Sequence, residues 1–157
     1  MEYVTSICDW WPEHLPSCVG LTALRLRDCR SHEDVDEGFD ATAEDATDSN
    51  VDLDPHLLPS GPYLRTLQEL HLVDCQFREF PKEVSEATAL RSLVCTNNAA
   101  RRLPLVPSAP FEAKDAAGVL GCLPRLSELR LKASDWAAAE QHSLPEMLPD
   151  IRISFVD

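Results

Sequence analysis

Four stretches of this chain repeat one spacing of leucines. Leu67, Leu70, Leu72 and Cys75 align with Leu90, Leu93, Cys95 and Asn98 at an offset of 23 residues. The same spacing recurs at Leu21, Leu24, Leu26 and Cys29, and at Leu126, Leu129 and Leu131, where Ser134 takes the fourth place. Leu148, Ile151 and Ile153 read as a last, partial copy. Recurrence at a fixed period means that the chain is built from like units, each too small to bury its own apolar side.

The x-L-x-L centre of each copy reads as a short strand. Alternation sends Leu70 and Leu72 to one face and their neighbours to the other. Parallel stacking of such strands would bury each inward leucine against its equivalents, at about 1.5–3 kcal/mol per leucine. Cys95 stands in for a leucine as a small apolar group.

The pattern L-x-x-L-x-L-x-x-(N/C), continued by Phe77, Phe80 and Pro81 in one copy and by Leu103 and Pro104 in the next, resembles the intracellular type of leucine-rich repeat, of about 23 residues. The resemblance implies an α/β fold: a curved leucine-rich-repeat solenoid of four to five units over residues 1–157. Short parallel strands would line its concave side, with short helices or irregular turns on the convex side. The resemblance also implies that the fourth place turns inward where the chain leaves the strand and hydrogen-bonds the turning backbone, a role that Asn98 fits best and that Cys29 and Cys75 share. Residues 81–89 and 135–142 are candidates for those returns, and 112–120 has a helical composition. Trp10, Trp11 and Pro12 are read as a cover over the first unit. The C-terminal strand would be left uncapped, open to self-association or to continuation in a longer chain.

The spacing is broken twice. Copies one and two lie 46 residues apart, and acids stand at 44, 45 and 48, where a hidden repeat would need buried leucines; unpaired carboxylates cannot be buried there. Residues 31–59 are therefore read as an acidic, disordered insertion. They hold ten of the 27 Asp and Glu residues and no Lys or Arg, so the net charge of −13 is concentrated in one segment and 17 acids face 14 bases elsewhere. Copies three and four are 36 residues apart, which places a second insertion at about 105–118.

Without a basic stripe, nucleic acid is not an expected partner. The N-terminus lacks the basic start and apolar run of a signal peptide, and no stretch is long enough to span a membrane. The expectation is a cytoplasmic protein, with the cytoskeleton or the ciliary axoneme among the locations the resemblance implies, and six reduced cysteines. In the alternative, an extracellular receptor-like recognition domain, Cys8 and Cys18 would form a disulfide-bonded N-terminal cap.

No catalytic constellation emerges. His71 and Cys95 would point to opposite faces, Gly totals only five with no phosphate-binding loop, and neither G-x-S-x-G nor H-E-x-x-H occurs. The pairs Asp34/Asp36 and Asp52/Asp54 lack the rest of a calcium loop. Cys8, His14, Cys18, Cys29 and His32 lack a paired C-x-x-C for zinc. The chain is thus expected to be no enzyme and to need no metal or cofactor.

What remains is a surface. The resemblance implies that a protein partner binds the outward strand positions of the concave face, and that the chain is a non-catalytic scaffold or adaptor. Those positions are Arg25, Glu69, His71, Glu128, Arg130, Asp150 and Arg152, extended one step further along by Arg27, Asp74, Thr96, Asn97 and Lys132. Glu69/His71, Glu128/Arg130 and Asp150/Arg152 would be neighbours on single strands.

Overall fold

A computed structural model describes residues 3–7, 17–27, 58–75, 80–98 and 111–157. For 3–7 it gives the backbone course alone. Cys8, Cys29, Trp10, Trp11, the Phe77 and Leu103 positions and nearly all of the acidic insertion lie outside the described residues.

The fold is α/β. Six strands, β1 (Tyr3–Ile7), β2 (Ala23–Arg27), β3 (Glu69–Val73), β4 (Ser92–Thr96), β5 (Glu128–Lys132) and β6 (Arg152–Val156), form one sheet in sequence order, every pair parallel. Each strand after β2 is admitted by the same backbone bond. The N–H groups of Glu69, Ser92, Glu128 and Arg152 donate to the carbonyls of Thr22, Gln68, Arg91 and Ser127, at 3.0–3.1 Å. A tight turn precedes each: Leu67, Leu90, Leu126 and Ile151 donate to Leu64, Ala87, Leu123 and Leu148. The junctions are alike although the chain between them differs in length, so extra residues are accommodated away from the strands.

Alternation then sorts the side chains. Leu24, Leu70, Leu93 and Leu129 form one buried column and Leu26, Leu72, Cys95 and Leu131 the next, extended by the half-buried Ile153 and Phe155 of β6. Over this face lie 3-10 helices at Pro62–Thr66 and Lys82–Glu86 and the α-helices α1 (Ala113–Leu120) and α2 (Ala138–Met147). They contribute Tyr63, Leu64, Val84, Ala113, Ala116, Leu120 and Leu144 to one continuous core. Proline opens the first 3-10 helix, where its missing N–H costs nothing. Helix α1 is capped from outside, because Glu140 Oε2 accepts the N–H of Ala113 at 2.6 Å, a carboxylate at the positive end of the helix dipole. Trp136 closes the β6 end, with its ring centroid 5.5 Å from that of Phe111 and 6.4 Å from that of Phe155.

Where the chain leaves β3 and β4, Asp74 and Asn97 adopt left-handed backbone, φ 57° and 56°. Asp and Asn tolerate that region better than other side chains. The next residues are Cys75 and Asn98, both fully buried. Asn98 Oδ1 accepts the N–H of Cys75 (2.8 Å), and its Nδ2 donates to the carbonyl of Leu72 (2.9 Å) and lies 3.2 Å from Cys95 Sγ. The backbone-binding role expected of Asn98 is the observed one. Its own N–H donates to Asp135 Oδ2 (2.9 Å). Asp135 is thus to Asn98 what Asn98 is to Cys75, and it occupies the place that the repeat spacing assigns to Ser134. Ser134 itself is exposed.

Four expectations need correction. First, residues 3–7 form a sixth strand where four to five units are expected, while the cover assigned to Trp10, Trp11 and Pro12 lies outside the described residues. Tyr, Val, Thr and Ile favour strands, but Val4 and Ser6 stand in register with Leu24 and Leu26, so no leucine announces β1.

Second, the last copy is two residues out. Ile153 and Phe155, not Ile151 and Ile153, pair with Leu129 and Leu131. A two-residue slip leaves every side chain on the same face, so the apolar pattern of Ile151, Ile153 and Phe155 fits either register.

Third, β2 pairs directly with β3, so no strand intervenes between them, but Leu58, within the span assigned to the first insertion, is fully buried in the core. Fourth, residues 111–118 of the second insertion belong to the layer over the sheet, with Phe111, Ala113 and Ala116 buried.

Two outcomes test this frame. Asn98→Ala leaves the Cys75 N–H and the Leu72 carbonyl buried without their partner, and should cost about 1–3 kcal/mol in urea unfolding. In parallel register Arg130 faces Ser154, so Arg130→Cys with Ser154→Cys should cross-link on mild oxidation and Arg130→Cys with Arg152→Cys should not.

Candidate interaction face of the sheet

The second face of the sheet carries no helix among the described residues, and its side chains follow the register. The first outward column runs Ala23, Glu69, Ser92, Glu128, Arg152, and the second runs Arg25, His71, Val94, Arg130, Ser154. Two residues further along stand Arg27, Val73, Thr96, Lys132 and Val156.

Most of the residues that the sequence nominates stand on this face. Arg25, Arg27, Glu128, Arg130 and Arg152 are exposed; Glu69, His71, Thr96 and Lys132 are half-buried. Asp74 and Asn97 lie just beyond their strands, and their first constraint is the left-handed backbone.

Asp150 is the exception. It sits in the exposed turn before β6, so the expected pairing of Asp150 with Arg152 on one strand is not found; the slip in register removes it. For the same reason Arg152 belongs to the column of Glu128, and Ser154 takes the place beside Arg130. Val73, Ser154 and Val156 are face positions that the sequence reading passed over. Alternation from Leu72 would have indicated Val73. Alternation from Ile153 would have indicated Ser154, and nothing in the leucine spacing would have indicated Val156.

Contacts across the face join neighbouring strands. Arg25 Nη2 donates to His71 Nδ1 at 3.1 Å, which requires the ring to be neutral at that nitrogen. Partial burial lowers the pKa of His71 from its ordinary 6.5; Arg25 pushes the same way, Glu69 opposes it, and Arg130 adds the smallest push downward. Arg27 Nε lies 3.7 Å from Asp74 Oδ2 with both side chains in contact with water, a geometry that contributes little to stability.

Other groups are poorly placed for chemistry. Burial pushes the thiol of Cys95 far above its usual range, which keeps it protonated and a weak nucleophile. The Tyr63 hydroxyl, also held protonated by burial and then by Glu83 and Glu86, donates to the carbonyl of Pro59 at 2.8 Å. Among the described residues no three His, Cys, Asp or Glu side chains gather into a group that could hold a metal ion. No helix among them is long and apolar enough to cross a membrane. No family model matches the chain, and no curated protein is similar enough to count as a relative.

The His71 contact sets a pH dependence. The folded pKa is lowered, so the folded chain binds fewer protons than the unfolded one just below pH 6.5. The contribution of His71 to stability is fully present above about pH 6.5 and is lost as the pH falls through the lowered folded value. An NMR titration of the ring should give a midpoint below 6.5, and Arg25→Ala should move that midpoint upward.

Proposed function

We propose that this chain is a leucine-rich-repeat module that binds another protein across the open face of its sheet, without a reaction or a cofactor. In this reading the parallel strands are successive units of a curved solenoid, the open face is its concave side, and the layer of short helices is its convex side. The observation that carries the proposal is the register. Five strands hold the same residues outward in columns, so side chains far apart in sequence form one rigid, patterned surface.

The chemistry of that surface favours recognition over catalysis. It offers guanidinium, carboxylate, hydroxyl and small apolar groups in fixed relation. The strands fix where each side chain is rooted, so affinity is not spent on ordering the backbone beneath them. A cytoplasmic setting, as a scaffold or adaptor within a larger assembly that includes cytoskeletal or ciliary ones, belongs to the same proposal.

The test is a comparison of captures from cell extract. Arg25→Glu with Arg130→Glu reverses two charges of the second column and touches no buried group. It should abolish capture of the partner while leaving the circular dichroism spectrum and the urea midpoint unchanged. Unaltered capture would reject the face as the binding site. Retention of the same partner after replacement of residues 31–59 by a Gly/Ser linker should accompany the positive result.

A further inference from the structure

Charge on the open face is sorted along the strands. The first outward column mixes signs in Glu69, Glu128 and Arg152. The two columns beyond it carry Arg25 and Arg27 on β2 and Arg130 and Lys132 on β5. Between them β3 and β4 present uncharged or neutral groups: His71, Val73, Val94 and Thr96. The outward strand positions of these two columns hold no carboxylate among the described residues. Glu69 and Glu128 stand one column away, and Asp74, one residue beyond β3, sits 3.7 Å from Arg27. In a chain of net charge −13, this gathers four cations around an uncharged floor, against the overall balance.

The spacing of the two cationic ends sets the length of what fits. Adjacent strands are about 4.8 Å apart, so β2 and β5, three spacings from each other, hold their cations about 14 Å apart. An extended peptide rises about 3.3 Å per residue, so two of its carboxylates four residues apart span nearly the same distance.

Resting on the binding role proposed above, we infer that the open face takes an extended acidic segment of the partner, laid across β2 to β5. One carboxylate meets Arg25 and Arg27, a second four residues away meets Arg130 and Lys132, and the side chain of the residue midway, which shares their face, rests on Val73 and Val94 when it is small and apolar. Guanidinium groups suit this task, because they bind carboxylates through paired hydrogen bonds. Arg152, in the mixed column, takes no part.

The experiment is selection of random nonapeptides on the immobilised full chain, followed by fluorescence polarisation with the enriched sequences. The expected peptides carry Asp or Glu four residues apart with a small apolar residue midway between them. Their affinity should fall at least tenfold with Arg25→Gln or Arg130→Gln, change less than twofold with Arg152→Gln, and weaken steadily with added salt. Enriched peptides that lack the acidic spacing, yet are lost from a Val94→Arg chain, would overturn this inference and leave the face as a binding site. Enriched peptides indifferent to Val94→Arg, or no enrichment, would overturn both. Enrichment seen only after residues 31–59 are replaced by a Gly/Ser linker would also overturn the inference, making the acidic segment of the chain itself the occupant.

Discussion

The backbone bond that admits each strand to the sheet, from the N–H of Glu69 to the carbonyl of Thr22 and in its three counterparts, fixes which side chains face inward for the residues that follow. Once it is made, the leucine columns stack without further choice, and the opposite columns are delivered to the open face at a spacing that no flexible loop would keep. Core and surface are therefore two results of one constraint. A change that disturbed the register of a strand would displace its contribution to both.

Buried polar groups hold the far end of the strands. Left-handed residues at Asp74 and Asn97 turn the chain off the sheet, and the buried backbone that follows must find partners away from water. Asn98 supplies them to the preceding unit, and Asp135 supplies one to Asn98. This sequence of side chain to backbone bonds ties three successive strand ends together. It also explains why a carboxylate is tolerated at 5% exposure: the fold gives it a donor.

How much of this is legible in the sequence depends on whether a residue is governed by period or by context. The inward leucines of β2 to β5 and the outward placement of Arg25, His71 and Arg130 follow from spacing and alternation alone, and the backbone-binding role of Asn98 from the resemblance. β1 does not, because Ser6 stands where a leucine would be and strand propensity without a buried column is a weak signal. The register of β6 does not, because two registers bury the same face and only the length of α2 with its turn decides between them. Asp135 escaped because its role is defined by a backbone N–H supplied 37 residues earlier in the chain. The site suffers most from the β6 error, which misplaced Asp150 and Arg152 while leaving the cations of β2 and β5 untouched.

The sheet has no closing partnership between its first and last strands; each strand pairs only with its neighbours in sequence. Such an assembly need not come apart all at once. β3 and β4 each have at least two paired strands on either side, so amide protection against solvent exchange should be graded along the sheet and deepest there. The cations of β2 and β5 flank that most durable part, so their separation is held by the pairing that opens last.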